Sequence, residues 1–224
     1  MVIGRHWQQR KALMPGFNDD SVPESAESSA SPARARSGRI IFLNGTSSSG
    51  KSSIAKELLQ VLDGGPYFHM PVDAFHAMRA RREVSSDELP HLFRRTWMGF
   101  HRAVAGMAAA GNDVVVDHVL SEEWRLLDCL GLFAARDVVL VGVRCSLEEL
   151  ERRERERGDR PMGLAVRQFH QVHAHGLYDI ECDTATASAM DCARQISNFL
   201  PQRPVPTAFE QLAAKLRPGL PAAG

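Results

Sequence analysis

Gly45-Thr46-Ser47-Ser48-Ser49-Gly50-Lys51-Ser52 satisfies the spacing G-x-x-x-x-G-K-[ST] at every position. These residue types share one chemistry, the gripping of a polyanion. The glycines let the backbone curl until successive N–H groups point inward at phosphate oxygens. A helix starting near Lys51 adds the positive end of its dipole to the same anion. Lys51 brings a mobile ammonium to the outer phosphates, and the Ser52 hydroxyl can complete a Mg²⁺ shell. The expected nucleotide-binding residues are therefore these eight together with Ser53, and the expected ligand is a nucleoside triphosphate with Mg²⁺.

A phosphate loop does not decide what becomes of the terminal phosphate, so other groups must. Asp73 follows one apolar run and Asp117 follows another, Val114-Val115-Val116. In a parallel sheet the carboxyl ends of the strands share one edge, where the loop also lies, so both acids converge on the nucleotide. One can hold Mg²⁺ while the other takes a proton from an attacking hydroxyl, and Asp117 has the form of the metal-side acid. Arg152, Arg153, Arg155, Arg157 and Arg160 alternate with Glu149, Glu151, Glu154 and Glu156. Most of these arginines read as a solvated helix laced with i,i+4 ion pairs. Arg157 and Arg160 flank Gly158-Asp159 and read as a lid that carries guanidinium groups over the phosphates. His170, His173 and His175 have no acidic or thiol partner at ligand spacing and read as structural or substrate-side histidines.

The elements that must hold these groups alternate between buried runs and amphipathic stretches. Arg39–Asn44, Tyr67–Val72, Val114–Val116, Val138–Val143 and Tyr178–Cys182 read as strands. Ser52–Leu62, Asp87–Ala110, Glu122–Phe133, Leu147–Arg157 (capped by Ser146) and Ala189–Phe199 read as helices. Phe93, Trp97, Phe100 and Val104 line one side of the second helix, the spacing of a core-facing surface. Alternation of this kind predicts an α/β fold, a three-layer α/β/α arrangement of P-loop kinase type around a five-stranded parallel sheet.

The 224 residues carry 27 Lys plus Arg against 27 Asp plus Glu, so no net field draws in nucleic acid or anionic lipid. With 44% apolar and 24% charged residues, the bulk of the chain is expected to fold as a soluble globule. Residues 1–38 read as a disordered extension, because Asn18 to Ser37 is dominated by Ser, Ala, Pro and charge. Residues 39–200 form the expected domain, and 201–224 a Pro-rich tail with one short amphipathic segment, Ala208 to Leu216. The four cysteines form no CxxC, no run reaches the length of a membrane span, and no secretory segment opens the chain. A cytoplasmic protein is expected, with a small-molecule hydroxyl acceptor as its partner and neither nucleic acid nor membrane.

Arg39 to Leu200 resembles the chloramphenicol phosphotransferase-like family, P-loop kinases related in fold to shikimate and adenylate kinases. The matching pieces are Ile41–Gly45 running into Ser48–Ser52, then Val72-Asp73, Val116-Asp117, Val141-Gly142-Val143-Arg144-Cys145, Arg153-Glu154, Arg157–Arg160, Gly163, Val172-His173, Tyr178-Asp179 and Asp183-Thr184. The resemblance implies ATP-dependent transfer of the γ-phosphoryl group to a primary hydroxyl of a small molecule. By matching position it makes Asp73 the general base and puts Arg157 and Arg160 in a mobile lid. The chain departs from the antibiotic kinase between Asp73 and Phe93, where Ala77 to Glu83 is short and basic. The cluster Arg79, Arg81 and Arg82 leaves open a nucleotide or metabolite kinase with another acceptor, and the polar N-terminal stretch leaves open a non-transferring ATP-binding switch. No NKxD-type guanine-reading motif follows the loop.

Overall fold

A computed structural model describes residues 36–80, 82–157 (the side chain of Arg157 apart) and 163–217. The extension read before residue 36 lies outside the described residues. Five strands, β1 (Ile40–Asn44), β2 (Tyr67–Pro71), β3 (Asp113–His118), β4 (Val138–Arg144) and β5 (Ile180–Asp183), form one sheet in the order β2-β3-β1-β4-β5. Every pairing is parallel. The central strand β1 is buried at all five positions, as a strand covered on both faces must be, which is why it reads as an unbroken apolar run.

The helices are α1 (Lys51–Val61), α2 (Val72–Ala77), α3 (Leu89–Ala109), α4 (Glu123–Leu132), α5 (Leu147–Arg157), α6 (Leu164–Phe169), α7 (Ala189–Phe199) and α8 (Ala208–Leu216). Alternation of side chains along the strands divides the interior into two layers. Phe42, Val114, Val116, Val138 and Leu140 face the layer containing Phe100 of α3, Leu126 of α4 and Phe209 of α8. Ile41, Leu43, Val115, Val139 and Val141 face the layer containing Ile54 of α1 and Ile196 of α7. This is the three-layer α/β/α arrangement expected from the alternation.

Three local differences from the sequence reading have physical causes. Strand β2 stops at Pro71, which has no N–H to continue a ladder, and Val72 opens α2 instead. Asp73 therefore sits in the first turn of a helix. Helix α3, at about 1.5 Å per residue, is roughly 30 Å long, whereas a five-residue strand spans only about 17 Å. Its second half lies against the sheet, with Phe100, His101, Val104 and Ala108 buried, and its first half projects past the edge. Phe93 and Trp97 are thus only half-buried, and the single core-facing side expected of this helix divides into two. At the far end, β5 begins at Ile180, two residues later than expected, because Asp179 turns its carboxylate to Leu140 N (2.7 Å) and Ala208 N (2.7 Å).

That last contact anchors α8. Thr207 and Glu210 form a capping box at its start, and Phe209 stacks on Phe133 at 6.1 Å between ring centroids. The segment after residue 200 thus contributes to the main core. A second buried polar chain joins α3, α4 and β3: Asp128 Oδ2 lies 2.7 Å from His101 Nδ1, and His101 Nε2 lies 3.0 Å from His118 Nε2. Burial holds both imidazoles below their ordinary pKa, so the neutral rings connect the three elements. No helix among the described residues is long and apolar enough to cross a membrane.

Candidate active site

The loop between β1 and α1 has the backbone its sequence demands. Gly50 takes φ +89° and Ser48 takes φ +62°, a left-handed conformation that strains a residue with a side chain. A Cβ on Gly45 would stand 2.6 Å from Val143 O and 2.7 Å from Ser49 Oγ, so only glycine passes there. Thr46, Ser47 and Ser49 of the loop are buried. Lys51 donates from Nζ to Thr46 O at 2.7 Å, which folds its ammonium back across the cradle.

Register brings the acids to the same place. Asp117 of β3 pairs with Leu43 on one side and with Pro71 on the other. Gly45 lies two residues beyond that row on β1, and Asp73 two residues beyond it on the β2 side. Ser52 donates from Oγ to Asp117 Oδ2 at 2.5 Å, and Lys51 Nζ lies 4.0 Å from Asp117 Oδ1. Lys51 is 6% exposed and Asp117 7%, so this charge pair works in a medium less screening than water. A hydroxyl beside a carboxylate is a hard-oxygen pair suited to Mg²⁺, which typically takes one or two carboxylates and completes its shell with water and substrate phosphates. Among the described residues no three His, Cys, Asp or Glu side chains stand together as a metal cluster. One cavity of about 380 Å³ is lined by Ser47, Lys51, Ser52, Asp73, Asp117 and Arg153, among others.

Arg153 was grouped by sequence with the solvated arginines, and the structure separates it from them. Arg152 pairs outward with Glu149 and Glu156. Arg153 shares Glu149 through Nε (2.7 Å), the expected i,i+4 pair, but its other end reaches the cavity, donating to Thr184 O at 2.7 Å, Thr184 Oγ1 at 3.1 Å and Ser48 O at 3.5 Å. Thr184 in turn donates to Ser49 O at 2.8 Å. Glu154, buried beside it, accepts from the amides of Gly163 (2.8 Å), Leu164 (3.1 Å) and Ala165 (3.2 Å), which fixes the start of α6. The spacing of Leu150, Arg153 and Glu154, one helical turn apart, was the available signal for an inward face. Arg160 and the side chain of Arg157 lie outside the described residues.

Beside Asp73 the overhanging half of α3 forms an aromatic group with α2 and α4. His76 meets Phe93 and Trp97 edge-on at 5.2 and 5.6 Å, and Trp97 lies 6.1 Å from Trp124. The buried guanidinium of Arg125 sits 3.6 Å from the Trp97 ring centre.

Two of the histidines after α6, His173 and His175, join the scaffold around Asn44 and Tyr178. Asn44, the last residue of β1, donates to Val172 O (2.8 Å) and Tyr178 Oη (2.7 Å) and accepts from Leu120 N (2.8 Å). Tyr178 Oη lies 2.6 Å from His173 Nδ1. Burial, helped by the Arg144 cation and by His175, lowers His173 to about 4. The unfolded chain binds this proton from about pH 6.5 downward, and the folded chain only near pH 4, so protonation favours unfolding. Its stabilisation is complete above pH 6.5 and is lost as the pH falls to 4. Urea midpoints across that range should decline less steeply in His173→Gln, by about 1–3 kcal/mol in total. An unchanged slope would remove His173 as the cause.

Comparison with known proteins agrees with this geometry. The model of the chloramphenicol phosphotransferase-like family matches residues 38–201. A Mycobacterium tuberculosis protein named "Putative O-phosphotransferase" is 32% identical over 199 residues, covering 78% of this chain and 88% of its own. Among solved structures, a sugar kinase from Janibacter sp. superposes with a TM-score of 0.55 at 17% identity, over 73% of this chain and 95% of that one. Shikimate kinase from Acinetobacter baumannii superposes with a TM-score of 0.52 at 12% identity, over 75% and 95%. At such identities the structures testify to the fold, a P-loop kinase fold, and the family match extends through the phosphate loop, both acids and Arg153-Glu154. The chain belongs to the chloramphenicol phosphotransferase-like family.

Proposed function

We propose that the protein transfers the γ-phosphoryl group of ATP to a hydroxyl of a small molecule. The observation that carries this reading is the single cavity in which a phosphate loop, Lys51 and two carboxylates from neighbouring strand ends meet. The amides of the loop would bind the phosphates, with Arg153 bracing the loop through Ser48 and Thr184. Mg²⁺, held by Ser52 and Asp117, would neutralise charge between the outer phosphates. Asp73 accepts the proton as the acceptor oxygen bonds to the γ-phosphorus, and the bond to the bridging oxygen breaks to leave ADP. Lys51 balances the charge that develops on the transferring group. Arg157 and Arg160 enter this reading as lid groups on their place around Gly158-Asp159 and on the family resemblance. The aromatic group beside Asp73 favours an acceptor with a flat or apolar body on that flank. Four free, buried cysteines favour action in a reducing compartment, the cytoplasm.

The test is incubation with MgATP and a panel of small alcohols, chloramphenicol included, read by mass spectrometry for an added phosphoryl group. Nucleoside monophosphates in the same panel separate the nucleotide-kinase alternative. ATP consumption that never depends on any acceptor would favour the switch. Lys51→Ala should weaken MgATP binding at least tenfold and lower turnover on the order of a hundredfold. Calorimetric titration and steady-state rates check both, and a variant that binds and turns over normally would remove the loop from the mechanism.

A further inference from the structure

Ser48 is the third residue of a tight turn in the phosphate loop, closed by Ser49 N donating to Thr46 O at 3.3 Å. Its φ of +62° is one that glycine adopts at such a place without strain and serine does not. A strained residue keeps its conformation only where its surroundings over-determine it, so contacts around the turn must supply that constraint. Some come from groups already placed at the site. Lys51 Nζ donates to Thr46 O at 2.7 Å, Arg153 to Ser48 O at 3.5 Å and Thr184 Oγ1 to Ser49 O at 2.8 Å. One comes from elsewhere: Ser47 N donates to Gln168 Oε1, on α6, at 2.8 Å. In a trans peptide the N–H and C=O point opposite ways, so Gln168 grips the Thr46–Ser47 peptide on the side away from Lys51. It stands outside the lining of the phosphate cavity.

We infer that Gln168 is a positioning residue for the nucleotide: it holds the turn with Ser48 in its left-handed form, so the loop is shaped before phosphates arrive. The inference rests on the ATP reading above and deepens it. A brace is only as firm as the helix that carries it, and α6 is fixed at both ends. Glu154 accepts from its first amides, those of Gly163, Leu164 and Ala165. At its far end Gln168 C=O accepts from Val172 N at 2.9 Å, and Val172 O receives Asn44 Nδ2 from β1. Removing the carboxamide lets the turn relax away from the left-handed conformation, and nucleotide must then spend part of its binding energy on restoring it. Glycine at position 48 takes that conformation unaided, so the brace matters less there.

The experiment measures binding of the β,γ-imido analogue of ATP with Mg²⁺ by calorimetry, and melting temperature, in wild type, Gln168→Ala, Ser48→Gly and the double variant. Gln168→Ala should weaken binding about fivefold, the equivalent of one net hydrogen bond, in the wild-type background and less than twofold beside Ser48→Gly. Gln168→Met, which keeps the bulk of the side chain and lacks the acceptor, should lose the same fivefold. A side chain that only docks α6 would lower the melting temperature in both backgrounds and leave the affinity alone. That result overturns the inference, as does an equal loss of affinity in both backgrounds or wild-type affinity in Gln168→Met. Wild-type protein that does not bind the analogue overturns the ATP reading and this inference with it.

Discussion

Asp73→Asn is expected to bind MgATP within about twofold of wild type and to lose between a hundredfold and ten-thousandfold in phosphoryl transfer, the range typical of a positioned general base. Asparagine keeps the size of the side chain and one acceptor oxygen but cannot take the proton of the attacking hydroxyl. Asp73 lies in the first turn of α2 and lines the cavity with Lys51 and Asp117, so the substitution changes charge at the reacting end of the site and leaves the loop intact. An acid in a first turn stabilises its helix by only about 0.3–1 kcal/mol, so the fold should survive its loss. Single-turnover rates with the acceptor found by the panel, alongside equilibrium binding of MgATP, separate chemistry from affinity. Turnover equal to wild type would end the role assigned to Asp73.

Phe209→Ala should destabilise the protein by about 3–5 kcal/mol, against a total stability of about 5–15 kcal/mol for a domain. The ring is fully buried, stacks on Phe133 and shares a layer with Val138 and Leu140 of the sheet. The start of α8 is tied down by the Thr207 cap and by Asp179, which limits how far the helix can move to close the space. The family match ends at residue 201, so a large loss would show that this chain needs residues beyond it to fold. Urea unfolding of the variant and of Phe209→Leu measures the effect. A loss below about 1 kcal/mol would mean that α8 is an ornament on the core.

Elements with a cap or an apolar spacing of their own were readable from the chain. The expected spans of α5, α7 and α8 coincide with the observed ones, and β1 differs by a residue. What escaped was set by partners distant in sequence. Helix α6 is six residues long and has no amphipathic period of its own; its first amides depend on Glu154, ten residues away. Helix α2 is equally short and follows a proline. At the site the phosphate loop, Asp73 and Asp117 followed from residue type and strand-end position. Arg153 did not, because in an Arg–Glu helix only its spacing from Leu150 marks the arginine that turns toward Ser48 and Thr184. Asn44 and Gln168 were missed for a related reason: a lone amide reveals nothing until the segment it bonds has been brought beside it.

The projecting half of α3 has a bearing on how such a site can change over time. Its partners are rings and guanidinium groups from α2 and α4, while the phosphate loop is tied to β1, β4, β5 and α5. Residues on that cantilever can therefore be exchanged, or loosen and reclose, with little strain passed to the cradle. Drift in what is phosphorylated need not disturb the machinery that delivers the phosphate.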